Sequence, residues 1–189
     1  MGEPSTPQEG FLPFTAKGGE HVLAEILQGG QSFLWEKIDS RSWRGVIGHL
    51  PVRIRLAPDG QIHWTSTQGT TQPAGPIVDR YFAADINFER IADDLPWRSD
   101  PVLAEAIRSF PGLRILRQPP EIALLSFLLS PLKRIEQIRA GLLEIARRWG
   151  TELEEDLYAP PSWAVLAEVS ENELRQCGIG YRARSLHKT

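Results

Sequence analysis

Three short stretches of this chain place chemically useful residue types at useful spacing. The last of them, Gly178-Ile179-Gly180-Tyr181-Arg182-Ala183-Arg184, sets two glycines ahead of an aromatic ring and two alternating arginines. Glycine lets a backbone approach a ligand closely, and arginines are suited to phosphate oxygens. A second stretch, Ser130-Pro131-Leu132-Lys133-Arg134, ends an apolar run with a turn and two cations. The third, Gly30-Gln31-Ser32-Phe33, is a glycine turn behind another apolar run. Each also has a plain structural account, with Gly30 a turn glycine and Tyr181 a core ring beside a solvated Arg182. Residue types alone leave both accounts open.

Reactive groups are scarce. Cys177 is the single cysteine, which excludes an internal disulfide and a thiolate metal site, and it reads as a small buried apolar residue. His21, His49, His63 and His187 form no visible ligand cluster, so no metal is expected. A net charge of −3 argues against a uniformly basic nucleic-acid binder. The cations nevertheless crowd the second half, from Arg114 to Lys188, while Glu152, Glu154, Glu155 and Asp156 form a separate acidic block. A solvated helix face and a phosphate-facing surface both account for that pattern.

With 41% hydrophobic and 24% charged residues, the composition is that of a soluble globular protein. The longest apolar stretch, Ile122 to Leu129, is too short to cross a bilayer. Met1 to Gly10 has no apolar signal segment. A cytoplasmic location is therefore expected, nucleoid-associated if the source is bacterial.

The elements that must position these residues fall into two regimes. Val22, Leu23, Ile26 and Leu27 predict a strand over 21–27, ended by Gly29-Gly30. From Ser32 to Thr67 short β-type runs alternate with turn signals, Asp59-Gly60 among them, and predict an antiparallel meander. Its exposed edge is expected to carry Arg53 and Arg55 on one face, opposite Val52, Ile54 and Leu56. A polar loop from Thr67 to Gly75 follows, then a helix from Pro76 through Tyr81. Asp100-Pro101 opens another, with Leu103, Ile107 and Phe110 expected inward.

The second half reads as helical. The run after Pro120 is apolar nearly all round, so it is expected to be buried on most sides. Ile135, Ile138, Leu142, Ile145 and Trp149 recur at helical spacing, with Gly150 placed for a C-terminal cap. Ser170-Glu171-Asn172-Glu173 is a capping box for a short helix through Cys177, stopped by Gly178, and Gly180 permits a positive φ.

Several stretches together resemble the 8-oxoguanine DNA glycosylase family. Gly30-Gln31-Ser32-Phe33-Leu34-Trp35 is similar to the family's GQSFRW segment. Tyr81, then Leu113-Arg114-Ile115-Leu116-Arg117-Gln118, Glu121 and Phe127 resemble its tyrosine, "LLRQ-P-E" and buried-helix sequence. Gly178 to Arg184 resembles its LGYRAR element. The resemblance implies an α+β protein: a TATA-binding-protein-like antiparallel sheet domain over residues 12–119, then an incomplete all-helical glycosylase domain over 120–189. It also implies base-excision repair by base flipping, with damaged double-stranded DNA as partner, AP-lyase activity in the full-length parent, no cofactor and a monomeric state.

The resemblance further implies residue roles. Gly30 stands where the family's glycine carbonyl accepts a hydrogen bond from the N7 proton that 8-oxoguanine has and guanine lacks. Tyr181 stands where an aromatic wedge enters the stack, and Arg182 where an arginine faces the estranged cytosine. Arg184 joins them as a DNA contact. The family's SSNNN-like turn is replaced here by Ser130 to Arg134. Leu132 can act as a wedge but cannot hydrogen-bond a base edge, and Lys133 and Arg134 suit phosphate. The family's lysine nucleophile and activating aspartate follow the GYRAR element. None of Lys17, Lys37, Lys133 and Lys188 matches the nucleophile, so no catalytic residue is assigned and the chain alone is expected to be inactive. Two alternatives stay open: a non-catalytic damaged-DNA-binding module, and an alkylpurine glycosylase of the same superfamily.

Overall fold

A computed structural model describes residues 7–67 and 73–189; most of the polar loop expected over 67–75 lies outside the described residues. The chain opens with β1 (Gln8–Thr15), passes through α1 (Glu20–Gln28), and then forms the meander β2 (Trp35–Asp39), β3 (Ser42–Ile47), β4 (Leu50–Leu56) and β5 (Gln61–Ser66). All pairings are antiparallel, in the order β1-β5-β4-β3-β2. Ala57 to Gly60 turns β4 into β5, with Gly60 at φ +86° and the Asp59 carboxylate accepting from the Gln61 N–H at 3.0 Å.

Two expectations about this sheet need correction. The segment predicted as a strand over 21–27 is α1. Its apolar residues at 22, 23, 26 and 27 repeat at helical spacing rather than alternating, and they bury one face against the sheet. Arg53 and Arg55 do share the solvent face, with Val52, Ile54 and Leu56 buried behind them. Yet β4 is an interior strand, paired with β3 on one side and β5 on the other, and not an edge.

Next come α2 (Ala74–Tyr81), α3 (Phe88–Asp94) and α4 (Pro101–Ser109). The Asp100 side chain accepts from the N–H groups of Val102 and Leu103, the expected cap. This helix lies shallower than expected: Leu103 and Ile107 are half-buried and Phe110 is exposed, its ring against His21. An extended segment through Gln118 leads to α5 (Pro120–Leu129) and α6 (Ile135–Trp149). Ile122, Leu125 and Leu129 of α5 are buried. Leu124 and Phe127 are not, because no described element covers that side, so this helix is less enclosed than its composition predicted.

Gly150 ends α6 at φ −83°, not in the left-handed cap conformation. A Cβ there would meet the Ala159 carbonyl oxygen at 2.0 Å, so the glycine serves close approach. The acidic block is a hairpin, β6 (Thr151–Glu154) and β7 (Leu157–Ala159), turned at Asp156 with φ +58°. The short helices α7 (Trp163–Ala167), α8 (Glu171–Leu174) and α9 (Arg182–His187) complete the chain. At α8 the Ser170 hydroxyl accepts from the Glu173 N–H at 3.3 Å, and the Glu173 carboxylate accepts from the Ser170 N–H at 3.0 Å.

Buried apolar residues form two clusters. One holds α1, α2 and the sheet. The other holds α5, α6 and the later helices, and draws in Phe33, Leu34 and Val46 from the sheet region. The hairpin ties the two halves together, since Arg53 Nη2 meets Glu154 Oε2 at 2.6 Å and Arg44 donates to the Glu155 carbonyl at 3.2 Å. Among the described residues no helix is long and apolar enough to cross a membrane.

Candidate nucleic-acid interface

Gly30 lies just past the C-terminus of α1 at φ +103°, a conformation that suits glycine. It is exposed, and among the described residues its carbonyl accepts no hydrogen bond. A Cβ at this position would stand 3.2 Å from Ile135 Cδ1, so the turn touches the first residue of α6. Directly ahead of Ile135 runs the loop Pro131 to Arg134. There Leu132 adopts φ +55° and is 93% exposed, an apolar side chain held out in a strained conformation.

Across this loop lies the glycine-flanked turn before α9. Gly178 and Gly180 stand at φ +70° and +63°, the positive angle expected at Gly180 and a second one at the glycine expected to stop the helix. Tyr181 is 54% exposed and its hydroxyl donates to the Pro131 carbonyl at 3.4 Å, while Lys133 Nζ donates to the Gly178 carbonyl, also at 3.4 Å. The three stretches singled out in the sequence are thus neighbours: Gly30 against Ile135, and Pro131 to Lys133 against Gly178 to Tyr181.

Charge is distributed to match. Arg44, Arg53, Arg117, Arg147, Arg148 and Arg175 are each held by a carboxylate. Lys133, Arg134, Arg184 and Lys188 make no ion pair among the described residues. Arg134 and Arg184 are exposed. The loop and the final helix therefore carry cations with no ion-pair partner, where a polyanion could meet them, as do the exposed Arg41 and Arg55 in the sheet half.

Arg182 departs from the outward-facing posture expected of it. It is only 4% exposed, its Cζ lies 4.4 Å from the Tyr181 ring centroid, and Nη1 donates to the Ile179 carbonyl at 3.2 Å. Its Nε is buried with no acceptor among the described residues. Stacking on the neighbouring ring, which spacing does not reveal, draws the guanidinium inward.

Behind the Gly30 turn is a set of polar anchors that the sequence reasoning missed. Gln31 Nε2 donates to the Arg114 carbonyl at 2.8 Å, and Gln31 Oε1 accepts from the Leu116 N–H at 3.0 Å. Gln118 Nε2 donates to the Gln31 carbonyl. Trp35 Nε1 donates to the Tyr81 hydroxyl at 2.9 Å, which donates to Ser32 Oγ at 3.1 Å, and burial pushes the Tyr81 phenol above its ordinary value. Arg114 is buried between Phe14 and Phe88 and donates to the carbonyls of Phe82, Ala83 and Ile86; desolvation depresses its pKa. The signal available in the sequence was the presence of three long polar side chains, Gln31, Arg114 and Gln118, within otherwise apolar segments. Cys177 is buried as expected, and desolvation raises its thiol pKa.

The fold thus sets an antiparallel sheet half ahead of a helical half, with exposed cations on the turns where the two meet. Residues 14–123 match the family described as "8-oxoguanine DNA glycosylase, N-terminal domain". The chain belongs to the 8-oxoguanine DNA glycosylase family. It is 29% identical over 188 residues to the N-glycosylase/DNA lyase OGG1 of Arabidopsis thaliana, covering 95% of this chain and 50% of that protein. Its fold is shared with the Clostridium acetobutylicum 8-oxoguanine glycosylase/lyase, solved with dsDNA containing cytosine opposite 8-oxoG. The TM-score is 0.77 at 26% identity, covering 87% of this chain and 56% of that one. MBOgg1, solved with a low affinity DNA ligand, is similar at a TM-score of 0.78 and 27% identity, covering 98% of this chain and 62% of that one. The chain spans about half the length of the curated relatives it matches.

Proposed function

We propose that this chain carries the lesion-reading half of an 8-oxoguanine DNA glycosylase. In this reading the Gly30 carbonyl accepts the N7 proton of the oxidised base. Tyr181 and Leu132 fill the gap left by the extruded nucleotide. Lys133, Arg134 and Arg184 hold phosphates. Guanine presents an acceptor at N7, so it would face the Gly30 carbonyl unpaired, a loss of about 1–3 kcal/mol. The observation that supports this most is the free carbonyl of Gly30 beside the loop that carries Leu132, Lys133 and Arg134. Arg182 reaches an estranged base only by leaving the Tyr181 ring. Its unpartnered Nε is a donor that a base acceptor would satisfy.

Bond breaking is not assigned to any lysine present. Lys17 pairs with Glu89 and Lys37 with Glu20, which favours the charged amine in both; Lys133 donates to a backbone carbonyl, and Lys188 has no carboxylate partner among the described residues. Excision through a Schiff base needs a neutral amine beside an activating carboxylate. The chain is therefore expected to bind duplexes without cleaving them. Incubation with duplex containing 8-oxoguanine opposite cytosine, with borohydride trapping, should give no covalent adduct and no strand scission. Binding should weaken as salt rises, and the log–log slope should fall by about one for each of Lys133→Ala, Arg134→Ala and Arg184→Ala. Trapped adduct would overturn the assignment of inactivity, and slopes unmoved by all three substitutions would overturn the interface.

A further inference from the structure

The Gly30 carbonyl can discriminate between bases only if its direction is held. Gly30 itself is the least constrained residue type, so the holding must come from its neighbours. On the N-terminal side the Gly29 N–H is fixed to the Glu25 carbonyl at 2.9 Å, the last turn of α1. On the C-terminal side Gln31 is held at three atoms: side-chain oxygen to the Leu116 N–H, side-chain nitrogen to the Arg114 carbonyl, and backbone carbonyl to the Gln118 amide. All three partners lie on the one extended segment, 114–118.

That segment is in turn fixed to the sheet domain. The Arg117 N–H donates to the Tyr81 carbonyl at 2.8 Å, the Arg117 guanidinium forms a fork with Asp85 at 2.6 and 3.0 Å, and Arg114 gathers three carbonyls between residues 82 and 86. Two residues beyond Gly30, Ser32 is buried and tied through Tyr81 to Trp35. A continuous set of hydrogen bonds thus runs from the interior of the sheet half to Gln31, the residue that follows the exposed carbonyl.

We propose that Gln31 and Gln118 are positioning residues for lesion recognition, holding Gln31 to the 114–118 segment so that the Gly30 carbonyl before it is presented in one direction. This rests on the reading of Gly30 given above. Neither glutamine touches the base; each acts by fixing the Gln31 residue that follows the Gly30 carbonyl. A recognition group must be held to within a fraction of an ångström, and that rigidity comes from the groups bonded behind it.

The test compares affinities of the 189-residue chain for matched duplexes carrying 8-oxoguanine or guanine opposite cytosine. The wild-type chain is expected to prefer the lesion by roughly 5- to 150-fold, the range set by one unmet hydrogen-bonding group. Gln118→Leu and Gln31→Met should cut that preference to about a third or less. Affinity for the undamaged duplex should stay within about twofold, since phosphate contacts set it. Gln31→Glu keeps the acceptor for the Leu116 N–H but loses the donor to Arg114, and should fall between. A merely structural role would lower melting temperature without moving the ratio. Amide hydrogen exchange confirms that each variant is folded, and should quicken in the 28–34 peptide alone. If the wild-type chain discriminates and loses this with Gly30→Ala, yet the glutamine variants retain the full ratio, the clamp is overturned and the reading of Gly30 survives. A wild-type chain with no preference overturns both.

Discussion

Leu132 is the residue whose conformation its type explains least. An L-residue at φ +55° costs about 1–2 kcal/mol, and leucine has no polar group to bond its own backbone there. Asparagine adopts that region readily, so Leu132→Asn should raise the melting temperature by about 2–4 °C for a chain of this size. It would also add a base-edge donor and acceptor at the tip of the loop. Thermal unfolding checks the first effect and opposite-base comparison in duplex binding the second; an unchanged or lowered melting temperature would show the strain to be relieved elsewhere. Single residues were unevenly legible in the sequence. Gly178 and Gly180 were readable because few other residues accept positive φ, and the exposure of Tyr181 fits its place in the motif. The burial of Arg182 and the clamp at Gln31 were not, because both depend on partners that spacing along the chain does not identify: a ring turned under the guanidinium, and a segment more than eighty residues away.

At the scale of elements, local chemistry was legible where it was self-contained and obscure where it depended on a distant partner. The β4–β5 turn and the α8 capping box are satisfied by residues within a few positions of one another. By contrast α1 differs from the strand expected over 21–27: its 22, 23, 26, 27 spacing is helical, but the run is short and partly β-branched, and it is the sheet beneath that makes the one-sided burial plain. The acidic hairpin was hidden because one carboxylate, that of Glu154, answers both Arg53 and Thr67 far upstream. The capping box has a pH signature. The Ser170 hydroxyl and N–H hold the Glu173 carboxyl below its ordinary value. A folded-state pKa below the unfolded one contributes stability that is present above the unfolded value and lost as pH falls through the folded one. Ser170→Ala removes both the N-cap acceptor for Glu173 and the hydroxyl that holds its carboxylate. The variant should therefore melt below the wild type near neutral pH, with the gap narrowing as pH falls from the ordinary carboxylate range through the lowered value of Glu173. A gap that is constant with pH would show the hydroxyl to act through the backbone cap alone.

Considered whole, the molecule places the Gly30 turn, the proposed reader of the lesion, where two apolar clusters meet. Phe33 and Leu34, a few residues past Gly30, belong to the helical cluster, whereas Leu23, Ile26 and Leu27 just before it belong to the sheet cluster. The turn is therefore anchored on both sides by packed side chains, and its direction is a property of the junction and not of either half. Apolar surface remains open on the helical side. Leu124 and Phe127 project from α5 with no described element over them, Phe127 at 70% exposure, close in sequence to the exposed Leu132. Exposed apolar rings bind hydrophobic dyes and promote association. The two faces of this one helix should consequently respond in opposite ways. Phe127→Ser should reduce dye fluorescence and aggregation while leaving stability within about 0.5 kcal/mol, since little packing is lost at an open position. Leu125→Ala, one turn-face away and almost wholly buried, should cost about 2–5 kcal/mol through the cavity it leaves. Denaturant unfolding with parallel dye titration separates the outcomes. A large stability loss from Phe127→Ser would mean that the ring is covered in solution, by a second copy or by another part of the fold, and sedimentation would then identify which.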